Sequence, residues 1–145
     1  MDHTFETRKT RNGMKSILTG IGAFFMAAVT IGQSADFPML SDAYGDQKIN
    51  ELMEEQSRES LLKLEAFAQM GWTISDSKGN TDMEVIAVPL NELDQFNPLK
   101  YDLSAESDSH SYYLIEGTNQ VLIVFSTARQ EVLYQRFLTK FNKAK

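Results

Sequence analysis

Tyr112-Tyr113-Leu114-Ile115-Glu116, Gly117-Thr118-Asn119, Gln120-Val121-Leu122-Ile123-Val124-Phe125: two runs of β-branched and aromatic residues meet at a short turn that holds a glycine. That arrangement predicts a β-hairpin. From Val121 to Phe125 the second run is apolar at odd and even positions alike. A strand that faces water on one side would alternate, so this one is expected to be central, covered on both faces and the most buried of its sheet.

Outward from the hairpin, Thr127 with Gln130 predicts a capping box. It would open a final helix whose Leu133, Tyr134, Phe137, Leu138 and Phe141 fall along one stripe. On the other side, Trp72 to Ser75 and Met83 to Val88 read as strands, and Asp76-Ser77-Lys78-Gly79-Asn80 between them has turn chemistry, so a second hairpin is expected. The long polar stretch from Pro89 to Ser111 offers one helical turn from Asn91 to Phe96, stopped by Asn97-Pro98, and then a mobile loop from Ser104 to Ser111. Further upstream, Asp46 is a plausible N-cap for a helix to about Met70, with Gly71 as its C′ residue. Ile49, Leu52, Met53, Leu61, Leu64, Phe67 and Ala68 share one side of it. Gln56 and Ser60 interrupt that side, so the helix is expected to bend there or to leave its central turn outside the core. Asp36 to Gly45 reads as an irregular lead-in. The whole predicts an α+β domain: a four-stranded, mainly antiparallel sheet with a long N-terminal helix and a C-terminal helix packed on it.

Before this body lies a segment of another kind. Met14-Lys15 is followed by an apolar run from Ile17 to Ile31 and by the small residues Gly32, Ser34 and Ala35. A basic start, an apolar middle and a small-residue end make up a secretory signal peptide. The run is about 15 residues, short of the roughly 20 that a spanning helix needs, so no stable transmembrane anchor is expected after processing. Residues 1–35 are therefore expected to be a signal peptide, with Met14 as an alternative start, and residues 36–145 a single domain. The chain of 145 residues has no cysteine, so an exported body would be held by packing alone.

Charge is distributed unevenly. From Asp36 to Ser126 there are 17 acidic and 5 basic residues; from Thr127 to Lys145 there are 1 acidic and 5 basic. So acidic a body disfavours nucleic acid as a partner. Arg129, Arg136, Lys140 and Lys143 are spaced by 7, 4 and 3 residues, which places them within about 60° of one another on the last helix, opposite its apolar stripe. This basic ridge is the candidate binding feature. Its candidate counterparts are phospholipid headgroups, an anionic glycan or an acidic protein.

Catalytic signals are sparse. His110 stands between serines near Asp108, but neighbours in a loop rarely take up the geometry of a nucleophile, base and orienting acid. Asp102, Glu106, Asp108 and His110 alternate with other residues as a solvated acidic loop would, and Asp76, Asn80 and Asp82 lack the spacing of a calcium loop. No cofactor, metal or catalytic residue is assigned. The expected function is an exported, non-enzymatic binding module, in one version an inhibitor or immunity-type protein whose acidic surface covers a cationic enzyme. The alternative is a small extracytoplasmic hydrolase using scattered Asp and Glu residues. The expected partner is another protein or an anionic envelope surface.

Overall fold

A computed structural model describes residues 35–79 and 82–145. The expected leader, apart from Ala35, lies outside the described residues.

The body opens with a helix that the sequence reading took for an irregular segment. Pro38–Tyr44 (α1) has Pro38 in its first turn, and its N-cap Phe37 offers no side-chain acceptor. The acceptor comes from elsewhere. The carboxylate of Glu65, itself fully buried, accepts the Met39 and Leu40 backbone N–H groups at 3.1 Å, and the Gln69 amide at 2.6 Å. A buried anion placed on the orphan donors of a helix start satisfies both partners. Asn97, also buried, ties α1 to the later chain: its Nδ2 donates to the Met39 carbonyl and to Asp42.

Two helices replace the one expected over 46–70: Asp46–Glu55 (α2) and Arg58–Met70 (α3). The break falls at the polar interruption. Gln56 is extended, and the Ser57 hydroxyl accepts the Ser60 N–H at 3.1 Å, which starts α3 afresh with its own cap. Asp46 is the first residue of α2 rather than its cap; Gly45 holds that position at φ 79°. Gly71 ends α3 with an ordinary negative φ, so the left-handed C′ role expected of it is not taken. It is small for another reason: a Cβ there would stand 2.5 Å from the Phe67 ring.

The sheet contains Trp72–Asp76 (β1), Glu84–Ile86 (β2), Ser111–Ile115 (β3) and Gln120–Val124 (β4), in the order β1-β4-β3-β2. The β3–β4 hairpin is present, and β4 is central as expected. The β1–β2 hairpin is not. β1 pairs antiparallel with β4, while β2 runs parallel to β3 on the far edge, so the sheet is mixed. A parallel neighbour needs a crossover of a dozen or more residues, which the stretch 87–110 supplies. That stretch carries two short 3-10 turns, Leu90–Gln95 and Pro98–Lys100, the second capped by Asn97.

One face of the sheet presents Trp72, Ile74, Ile86, Tyr113, Ile115, Leu122 and Val124 to a core completed by Phe67, Val88, Phe96, Tyr101 and Leu103. Trp72 meets the Phe96 ring edge-on at 4.8 Å, and Phe96 stacks on Tyr101. The other face carries Thr73, Tyr112, Leu114, Val121 and Ile123. No described helix packs across it, and the expectation that β4 is covered on both sides is met only in part: on this face Val121 is buried, Ile123 is half-buried and Tyr112 is 49% exposed. The final helix, Thr127–Lys143 (α4), lies on α3 instead of on the sheet. Its Tyr134 and Phe137 join Phe37, Leu40, Ile49, Leu61, Leu62 and Ala66 in a second, interhelical core. α3 thus stands between the two cores, with Leu64 and Met70 turned to one and Phe67 to the other. Among the described residues no helix is long and apolar enough to cross a membrane.

Candidate functional site

The helix break and the start of α4 meet at an open groove of about 470 Å³. Ser60, Lys63, Leu64 and Phe67 of α3 follow the spacing of one helical face and form one wall. Gln56, left outside both helices by the break, also lines it. The opposite wall is Leu103 and Ala105 from the crossover with Thr127 and Gln130 from the first turn of α4.

Backbone hydrogen bonds hold that wall in place. The Thr127 and Ala128 N–H groups donate to the carbonyls of Glu106 and Ser107 at 2.9 and 3.2 Å. The first donors of α4 are therefore satisfied by the loop, and Ser126, not Thr127, is the N-cap, accepting the Arg129 N–H. Released from the expected capping box, Gln130 donates its amide N–H to the Phe125 carbonyl at 2.7 Å. The stretch 104–111 is tethered rather than loose. His110 accepts the Ser126 N–H on Nδ1 at 2.9 Å and its ring lies 5.3 Å from Phe125, so its role here is structural.

The groove's lining joins the apolar Leu64, Phe67, Leu103 and Ala105 with the neutral amides and hydroxyls of Gln56, Ser60, Thr127 and Gln130. Lys63 is the one ionisable side chain in the lining, and it is already matched: Glu59 lies at 3.3 Å, Glu131 at 3.7 Å, and the Tyr134 ring at 5.4 Å. The Glu59 hydrogen bond, followed by the Glu131 charge, pushes its pKa upward. It is a fixed cation, unsuited to act as a base near neutrality. Among the described residues no carboxylate lines the groove. The carboxyls with displaced pKa lie elsewhere and are held low by partners: Asp36 chiefly by the Arg58 hydrogen bond, with Lys145 adding to it, and Asp42 by Asn97 and Lys100. Among the described residues no three His, Asp or Glu side chains gather where a metal could sit, so Asp102, Glu106, Asp108 and His110 are not brought together as ligands.

The four ridge residues Arg129, Arg136, Lys140 and Lys143 are all exposed on α4. Their position needs one correction. Leu133, Tyr134, Phe137 and Phe141 centre the packed side about 105° from the ridge, so the cations run along one flank of the exposed surface instead of opposite the stripe. Sequence reasoning missed the groove, although its two polar signals, the Gln56/Ser60 interruption and the Thr127/Gln130 pair, both converge on it. Compared with known proteins, the chain matches no family model, no curated protein and no solved structure.

Proposed function

We propose that the protein is an exported, non-enzymatic interaction module whose groove takes up a neutral polypeptide segment of a partner protein. The observation that supports this reading is the chemistry of the groove lining: four apolar side chains, four neutral amides and hydroxyls, and one cation already neutralised by two carboxylates. Such a lining favours an apolar side chain carried on a backbone whose N–H groups the oxygens of Gln56, Ser60 and Gln130 can accept. It favours neither a charged head group nor acid–base chemistry, which needs a titrating group within reach of the substrate. Ser60 shares its hydroxyl with Ser57, the Thr127 hydroxyl donates to the Glu106 carbonyl, and His110 is committed to the Ser126 amide, so among the described residues no nucleophile in the groove has a base beside it. The acidic remainder of the body would steer a partner that is cationic overall, the property expected of a target covered by an inhibitor or immunity-type protein. Export rests on Lys15, the apolar run Ile17 to Ile31 and Ala35.

A photo-crosslinking residue at Ser60, in the full chain expressed in its own host, tests this. One discrete protein adduct is expected from position 60 and none from a probe at the exposed Asn142. Filling the groove with Ala105→Trp should remove the adduct while circular dichroism remains that of the folded chain. No adduct at position 60, or the same adducts from both probes, would refute the proposal.

A further inference from the structure

Ten cations lie between Asp36 and Lys145; five of them are paired, Lys78 stands in the turn after β1, and the remaining four lie on α4. Lys48, Arg58, Lys63, Lys100 and Lys145 each lie within 4.0 Å of a carboxylate. Arg129, Arg136, Lys140 and Lys143 do not: among the described residues none has an ion-pair partner, and none of the four side chains is held by a hydrogen bond. This happens in a molecule with an excess of acidic residues, where an exposed lysine has many carboxylates to meet. The helix that carries them is fixed by Leu133, Tyr134 and Phe137, so the four cannot turn inward. They extend over about 21 Å of helix, from residue 129 to 143 at about 1.5 Å each. Val132 lies beside them on the same flank and is 48% exposed, one of the few large apolar side chains that the body leaves in water.

We infer that this flank of α4 is a docking surface for an anionic phospholipid bilayer, independent of the groove. The side chains themselves argue for lipid over protein or glycan. A stereospecific acidic epitope calls for cations held in place by neighbouring hydrogen bonds, because ordering a free lysine or arginine opposes binding. Fluid headgroups accept cations on unrestrained stems. The exposed valine fits the boundary between headgroup and acyl chain, and a glycan strand would leave it in water. The apolar stripe of α4 is spent on the protein core, so the helix rests on the surface and does not insert. The acidic remainder of the body is repelled, which orients the molecule with α4 toward the bilayer.

Vesicle flotation of the full chain, alongside Arg129→Gln/Arg136→Gln/Lys140→Gln/Lys143→Gln, decides the matter. The basic and apolar residues before Ala35 are common to both chains and cancel in the comparison. On phosphatidylcholine vesicles with about one-third phosphatidylglycerol, at about 0.02 M salt, the wild-type chain should bind at least about tenfold more tightly than the variant. The difference should vanish near 0.5 M salt and be absent on pure phosphatidylcholine. Thermal melting of the two should coincide, since all four positions are exposed. Equal binding of the two chains to anionic vesicles overturns the inference. So does ridge-dependent retention on an anionic glycan or an acidic protein with none on vesicles.

Discussion

A carboxylate with no accessible surface must find its partners inside the protein, and Glu65 finds them on the backbone of α1. Deleting it strands the Met39 and Leu40 N–H groups and the Gln69 amide together. Glu65→Ala should cost about 2–4 kcal/mol, and Glu65→Gln, which keeps the shape and one acceptor oxygen, clearly less. Urea denaturation midpoints of the three chains check the order. A Gln variant as damaged as the Ala variant would assign the effect to charge instead of to hydrogen bonding. The sequence held a trace of this role: Glu65 follows Leu61 by four residues and precedes Ala68 by three, a charge on the apolar stripe of a helix. The trace does not identify the partner, because the donors lie 25 and 26 residues upstream.

Elements formed by neighbours in the chain were legible; those decided at a distance were not. The β3–β4 hairpin and the apolar stripe of α4 follow from local pattern and local turn chemistry. β2 has three residues with Glu84 and Val85 exposed, which suits a short edge strand, whereas β4 is apolar at every interior position and takes strands on both sides. Competition for the place beside β4 decided the pairing, and no turn signal near Gly79 reports on it. The two faces of β4 differ as well. Leu122 points into the sheet core with no accessible surface, while Ile123 is half-buried on the side that no described helix covers. Leu122→Asp should therefore destabilise by about 3–5 kcal/mol, through a buried unpaired carboxylate, and Ile123→Asp by appreciably less. Equal losses in melting temperature would mean that both faces are sealed.

At the scale of the molecule, the sites divide in the same way. The ridge was legible because helical spacing alone gathers it. The groove was not, because it joins a helix break, a crossover and a helix start from three parts of the chain. Long-range ion pairs tie the N-terminal segment to the rest of the body: Arg58 and Lys145 both bind Asp36, and Lys100 binds Asp42. Both acids have lowered folded-state pKa values, so their contribution is complete above the unfolded value of about 4 and is lost as pH falls through the lowered folded values. The pairs are partly exposed, so the effect is modest and weakens with salt. Between about pH 6 and pH 2, the denaturation midpoint of the wild type should fall more steeply than that of Asp36→Asn/Asp42→Asn; parallel curves would show that these pairs add nothing. The strand order also sets a sequence of events in time. The partner of Trp72 is Val124, so β1 has no neighbour until nearly the whole body has been synthesised, and the β3–β4 hairpin closes over a far shorter loop. The hairpin is thus the natural first structure in the sheet. Until β4 emerges, Trp72 and Ile74 wait without a sheet, and a chain arrested before residue 120 would expose them to whatever it meets first.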